Sequence, residues 1–258
     1  MNTLTAEFLY HVPKSFKQSI IIDADGKEGN IIFPEMIKKN IQVENVREKL
    51  EKLTYQKNGL EFCKFISSIK DFKHEENLIK YNKELISFVK TSFSAKEVIP
   101  FDHTLRLDSN AKRPPVRQVH NDYSIESAYA QLQKYVDNHN LELWEDSHFA
   151  IINSWKPIEN IVQTAPLGFI LPDTIEKDDF IDIELIYPNR VGEIQGVIFN
   201  EKHNWVFMEN MSPEEIAFFR VFDSNGAMPV VHSAFDPLEL SDTTKPRQSI
   251  ESRMLVRF

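Results

Sequence analysis

With 258 residues, 41% apolar and 27% charged side chains, the chain is long enough for one large core or a core with a cap, and has the profile of a soluble globular protein. A net charge of −9 without a Lys/Arg run argues against a nucleic-acid partner, and no apolar run approaches the ~18 residues that span a bilayer. One cysteine, Cys63, excludes an intrachain disulfide and Cys-based zinc sites and fits a reducing, cytoplasmic setting, while the seven glycines form neither G-x-G-x-x-G nor G-x-x-x-x-G-K-[ST].

In chain order, Met1 to Ser15 lacks a basic segment followed by an apolar one, so no secretory leader is expected. Thr3 to His11 and Ser19 to Phe33 read as short strands, with turns at Asp23-Ala24-Asp25-Gly26 and Glu28-Gly29-Asn30. Val46, Leu50 and Leu53 recur at helical spacing, predicting a helix over Glu44 to Leu53 that Asn58-Gly59 ends. Leu60 to Ile66 reads as a strand or a short helix. Glu75 to Phe93 is a helix with Leu78, Tyr81, Leu85, Phe88 and Val89 on one stripe. Residues 1–95 therefore read as an α/β extension packed on a core formed by residues 96–258.

From Val98 the texture becomes β-rich. Strands are expected at Val98–Arg106, Val116–Tyr123, Phe149–Trp155, Leu167–Leu171, Ile181–Tyr187, Glu193–Phe199, Asn204–Glu209, around His232, and at Ser249–Phe258. A polar loop covers Asp108 to Pro115, and Ser124 to Asn138 reads as a helix. Ser212-Pro213-Glu214-Glu215 resembles an N-cap with proline in the first turn, predicting a short helix before Phe218–Phe222. Many short strands with few intervening helices disfavour a doubly wound sheet. The expected fold class is α+β, mainly β: a double-stranded β-helix of the jelly-roll or cupin-like kind with the N-terminal α/β extension.

The chemistry concentrates at Val119-His120-Asn121-Asp122-Tyr123. A strand projects residues i and i+2 from one face, so the imidazole and the carboxylate stand side by side as two metal ligands. In a jelly roll an early and a late strand meet across the mouth, which lets His232 supply a third. Two histidines and one carboxylate make the facial set that leaves positions open on non-haem Fe(II) for a co-substrate and dioxygen. The competing reading is a hydrogen-bonded histidine beside a turn aspartate; the similar His74-Glu75-Glu76 reads as a solvated helix start. Fifteen residues beyond His232, Arg247-Gln248-Ser249 opens the last strand, where a guanidinium fork can grip a dicarboxylate, with Ser249 on the same face. Arg253 shares that face; spacing does not separate the two arginines, and Arg247 is favoured. The competing reading pairs either arginine with Glu251 or Asp242 at the surface.

Arg113-Pro114-Pro115-Val116, Val119-His120 and Asp122-Tyr123 together resemble the metal-site block of a hydroxylase/desaturase family of Fe(II)- and 2-oxoglutarate-dependent enzymes, which includes gibberellin desaturase, fungal meroterpenoid oxygenases and a cephalosporin 7α-hydroxylase component. Further blocks follow in order: Asn58-Gly59-Leu60-Glu61-Phe62, Phe101 to Arg106, Ile152-Asn153-Ser154-Trp155-Lys156-Pro157, Val162 to Leu167, His203-Asn204-Trp205 with Met211, Phe222-Asp223-Ser224, His232 to Pro237, and Arg247 to Arg253. The similarity runs from about residue 58 to the end. Lys156 departs from the more common arginine, and Gly168-Phe169-Ile170 from an Ala-rich stretch. The resemblance implies a jelly-roll core, iron on His120, Asp122 and His232, 2-oxoglutarate and O2 as co-substrates, and hydroxylation or desaturation of a small-molecule C–H in secondary metabolism. It also implies that Asn153, Trp155 and Lys156 line the pocket. No nucleic-acid or membrane partner is expected, and a homodimer is compatible with the sequence. Two alternatives stand beside this reading: a cupin-like small-molecule binding protein, and a metalloenzyme without a keto-acid co-substrate.

Overall fold

The structure is a computed structural model that describes residues 3–108, 114–136, 138–237 and 245–258. Its strands are β1 (Thr3–His11), β2 (Gln18–Ile22), β3 (Ile31–Ile32), β4 (Met36–Asn45), β5 (Leu60–Lys64), β6 (Glu97–Leu107), β7 (His120–Asn121), β8 (Phe149–Pro157), β9 (Leu167–Ile170), β10 (Phe180–Tyr187), β11 (Arg190–Val197), β12 (Trp205–Phe207), β13 (Glu215–Asp223), β14 (His232–Ala234), β15 (Asp236–Pro237) and β16 (Gln248–Arg257). Its α-helices are α1 (Tyr55–Asn58), α2 (Glu75–Phe93), α3 (Ile125–Tyr135) and α4 (Asn138–Glu145). None of the helices among the described residues is long and apolar enough to cross a membrane.

Two sheets face each other, as a jelly roll requires. The large one runs β15-β1-β4-β12-β9-β14-β7-β11-β10-β2-β3 and the small one β5-β13-β8-β16-β6. Period-two alternation sorts the side chains of the large sheet. Phe169 and Val206 join Phe62, Ile151, Trp155 and Phe219 of the small sheet in the core between the sheets. Ile170, Trp205, Phe207, Val119 and Val231 point the other way, into a second core closed by Ala6, Phe8 and Tyr10 of β1. There β1 bridges back to Gln118 and Ile198, so the N-terminal hairpin curls over the outer face of the large sheet. On the outer face of the small sheet, Tyr81, Leu85 and Val89 of α2 pack on Ile152, Phe218 and Met254. A buried apolar stripe of this kind, rather than intrinsic propensity, is what holds a 19-residue helix in place.

Several local expectations are corrected. Met36–Asn45, which carries no clean alternation, is a ten-residue strand because all nine residues of β1 pair with it. The helix expected over Glu44–Leu53 is absent; Val46, Leu50 and Leu53 still reach the central core, but through an irregular segment with one 3-10 turn at Leu50–Lys52. Leu60–Lys64 resolves as a strand, and Gly59 before it caps α1 at φ +67°, a left-handed geometry suited to glycine. The helix expected after Ser212 is also absent. β13 begins at Glu215, since its aromatic and β-branched run is paired on both sides, with β5 and with β8. The predicted strand Val116–Tyr123 shortens to a two-residue ladder, and α4 follows α3 where no second helix was expected. The loop positions 109–113, with Arg113, and Asp242 lie outside the described residues.

Candidate active site

β7 and β14 lie side by side with His120 opposite His232 in register, so both imidazoles leave the large sheet toward the small one. The ring centroids are 4.4 Å apart. Asp122, just past β7, brings Oδ1 to 3.6 Å from His120 Nε2. One potential ligand atom from each of His120, Asp122 and His232 lies within 4.8 Å of the others, and all three residues are buried. The donor set fits a divalent cation. His120 Nδ1 lies 2.8 Å from the Gln118 carbonyl and His232 Nδ1 3.4 Å from that of Val230. Each Nδ1–H can therefore donate to the backbone, which fixes the tautomer that leaves Nε2 bare. Burial, helped by His232, lowers the His120 pKa to about 4, and burial lowers that of His232 as well, so both are neutral and ready to ligate.

Asp122 is held from the other side. Burial alone would raise its pKa, but Arg253, His232 and His120 together keep the carboxyl well below the usual range. Its Oδ2 accepts from Asn153 Nδ2 at 2.6 Å and from Arg253 Nε at 3.1 Å. Arg253 also pairs with Asp102 at 2.6 Å and with Glu251. It is thus engaged by three carboxylates, one of them the Glu251 of the competing sequence reading, though in a buried setting rather than at the surface.

Arg247 differs. It is 2% exposed, its Nε donates to Ser249 Oγ at 3.1 Å and its Nη1 to the Ala165 carbonyl, and its guanidinium lies 5.1 Å from the Trp155 ring centroid. No carboxylate among the described residues forms an ion pair with it. Burial and the nearby Arg106 depress its pKa to about 9 even though the Asp108 and Glu251 carboxylates act the other way, as expected of a buried cation without a direct ion-pair partner.

Of the remaining sequence candidates, Asn153 and Trp155 share the inward face of β8, opposite Arg253 and Glu251 of β16. Trp155 Nε1 is buried without an acceptor. The expectation that Lys156 lines the pocket does not hold. One residue on, it projects from the outer face of β8, where its ammonium meets the Pro213 carbonyl, and burial together with Lys70 lowers its pKa to about 8. Sequence reasoning missed His11. An added Cβ on Gly196 would come within 2.7 Å of His11 Cδ2, and Gly196 pairs with His120, so the His11 ring lies on the same sheet face as the triad. Both its ring nitrogens are buried and have no hydrogen-bond partner among the described residues. No spacing in the sequence links residue 11 to residue 120; only the bridge of β1 to the large sheet does so.

Comparison with known proteins agrees with this architecture. The hydroxylase/desaturase efuI of Hormonema carpetanum is 24% identical over 249 residues, covering 84% of this chain and 82% of that protein. The oxidoreductase clz16 of Cochliobolus lunatus is 22% identical over 248 residues, covering 84% and 85%. Among solved structures, an iron and alpha-ketoglutarate-dependent endoperoxidase, NvfI, superposes with a TM-score of 0.91 at 18% identity, over 100% of this chain and 98% of that one, which shows a shared fold. A family model described as an oxidoreductase/YMDC permease-like domain matches residues 12–257, and the chain belongs to that family.

Proposed function

We propose that the protein is a non-haem Fe(II)- and 2-oxoglutarate-dependent oxygenase that hydroxylates or desaturates an unactivated C–H of a small molecule, as a cytoplasmic enzyme of secondary metabolism. The observation that carries the reading is the pairing of two subsites across the space between the two sheets. Two neutral imidazoles and a carboxylate converge with bare donor atoms, and a buried guanidinium that forms no ion pair among the described residues stands on the facing sheet. The names of relatives, a hydroxylase/desaturase among them, support the same class. His120 Nε2, His232 Nε2 and Asp122 Oδ1 are the atoms that would hold the iron. The chemistry such a centre supplies when bound is C–H oxidation coupled to decarboxylation of the keto acid by dioxygen. Arg247 and Ser249 meet the distal carboxylate of the keto acid, with Trp155 flanking the guanidinium. Phe169 and Phe219 keep water from the inner side of the triad, Phe219 lying 4.7 Å from the His232 ring.

The test is oxygen uptake and succinate release by the Fe(II)-loaded protein, with and without 2-oxoglutarate. Dependence on both Fe(II) and 2-oxoglutarate, lost in His120→Ala, supports the reading. Oxygen uptake indifferent to 2-oxoglutarate, or decarboxylation retained in His120→Ala, refutes it.

A further inference from the structure

Arg253 and Arg247 extend from the same face of one strand segment, yet their surroundings assign them opposite work. We propose that Arg253 is a positioning residue for the metal: with Asn153 it clamps one oxygen of Asp122 and so reserves the other for the cation, and it takes no part in binding the keto acid. The inference rests on the oxygenase reading and deepens its metal subsite.

The clamp is built from both sheets. Asp122 follows β7 of the large sheet; Asn153, Arg253 and Asp102 sit in register on β8, β16 and β6 of the small one. Arg253 Nε and Asn153 Nδ2 both reach Oδ2, at 3.1 and 2.6 Å, while Oδ1 faces His120 Nε2 at 3.6 Å. A carboxylate with one oxygen doubly occupied by donors presents a single oxygen, so it ligates through one atom. Arg253 is itself fixed by the fork of its guanidinium: Nη1 on Asp102 Oδ2 at 2.6 Å, Nη2 on Glu251. Register helps here. The β6–β16 ladder shifts between Arg253 and Met254, whose partners are Asp102 and Pro100, so that Phe101 is the extra residue and Asp102 stays opposite Arg253. Bulges re-aim side chains beside active sites in this way.

Charge makes the same point. Asp122, Asp102 and Glu251 place three carboxylates around the one guanidinium of Arg253, leaving two negative charges in excess, which a divalent cation cancels. An anionic co-substrate gains nothing from Arg253 in that company. Arg247 has no such partners among the described residues.

The experiment measures two affinities in each protein by calorimetry: Mn(II) binding to the apo chain, and 2-oxoglutarate binding at saturating Mn(II). Partners that orient a metal ligand are worth roughly 10–100-fold in metal affinity. Arg253→Gln is expected to weaken Mn(II) by that factor and leave the 2-oxoglutarate constant within about 2-fold, with a changed Mn(II) EPR line shape; Arg253→Lys, keeping charge without the fork, falls between. Arg247→Gln is expected to do the reverse. Should Arg253→Gln fail to fold, Asp102→Asn loosens the same guanidinium from its half-exposed end and should weaken Mn(II) several-fold. Wild-type Mn(II) affinity in a folded Arg253→Gln or Asp102→Asn overturns the proposal, as does a loss of 2-oxoglutarate affinity confined to Arg253→Gln. In either case an intact wild-type response to Mn(II) and 2-oxoglutarate leaves the oxygenase reading standing. A wild-type chain that binds neither overturns both.

Discussion

Replacing Arg247 with methionine should make the apo protein no less stable while destroying its affinity for 2-oxoglutarate. The sign of the stability effect follows from burial. The guanidinium is 2% exposed, and burial, with Arg106 nearby, pushes its pKa down from the usual 12.5 to about 9. A difference of that size corresponds to roughly 5 kcal/mol for holding the charge in the apo protein. Methionine removes the charge at comparable length. It also strands the Ser249 hydroxyl and the Ala165 carbonyl, the two acceptors Arg247 now satisfies, at a cost of about 1–3 kcal/mol. The balance favours the variant by about 2 kcal/mol or more, equivalent to a rise in Tm of roughly 4–8 °C for a chain of this size.

Binding should move the other way. Truncating one partner of a buried, hydrogen-bonded charge pair costs about 2–5 kcal/mol, hence at least roughly 30-fold in the Kd for 2-oxoglutarate. Differential scanning calorimetry of the apo proteins and titration of the Mn(II)-loaded proteins with 2-oxoglutarate read the two effects. A variant that loses more than about 2 kcal/mol of stability, or that keeps its 2-oxoglutarate affinity, refutes the view of Arg247 as a cation waiting for an anion.

Gly196→Ala puts a methyl group within 2.7 Å of His11 on the sheet face that carries His120; overpacking of this kind costs about 1–3 kcal/mol, and a thermal melt unchanged from wild type would contradict it. Burial, with His120 next, lowers the His11 pKa to about 4, and burial and His232 do the same to His120. Both therefore bind protons in the unfolded chain before the folded one, so stability of the apo protein should fall as pH drops from 6.5 toward 4. A Tm independent of pH across that window would refute the placement of either ring. Lys156→Met should leave both the Mn(II) and the 2-oxoglutarate constants unchanged, because the ammonium lies on the outer face of β8; a shift in either constant by more than about 3-fold would put Lys156 back in the pocket.

How much of this was legible depended on the range of the signal. His120 and Asp122 are two residues apart, and a local rule about strands sufficed to see them as a pair. His232 and Arg247 could be nominated from a strand pattern and a resemblance, but the register that sets His232 opposite His120 is a property of the folded sheet. Lys156 shows a resemblance carried over without that rule: Asn153 and Trp155 obey period two and point inward, so their neighbour at 156 points out. Met36–Asn45 was missed because its strand state comes from pairing with β1 rather than from its own alternation. Val46, Leu50 and Leu53 gave a helical spacing yet reach the core through an irregular segment, so apolar periodicity identified their burial and not their backbone. His11 left no trace in the sequence at all, since its relation to the site passes through a glycine 185 positions away.

The separation of the two arginines shows why the site needed a structure to be understood. Period two puts residues 247, 249, 251 and 253 on one face, and by that count alone either arginine can grip the co-substrate. What distinguishes them is the company supplied by other strands. Around Arg253 the fold gathers Asp122 from behind β7 and Asp102 from β6, with Glu251 from its own strand; around Arg247 it gathers a carbonyl, a hydroxyl and an indole ring. A guanidinium enclosed by carboxylates is an anchor for them, and they offset its burial. A guanidinium whose direct contacts are neutral groups is not balanced in that way, and on the proposed reading the keto acid supplies the anion. The same residue type on the same face thus sits in an ion cluster at one end and among neutral contacts at the other, and much of the difference comes from the neighbouring strands.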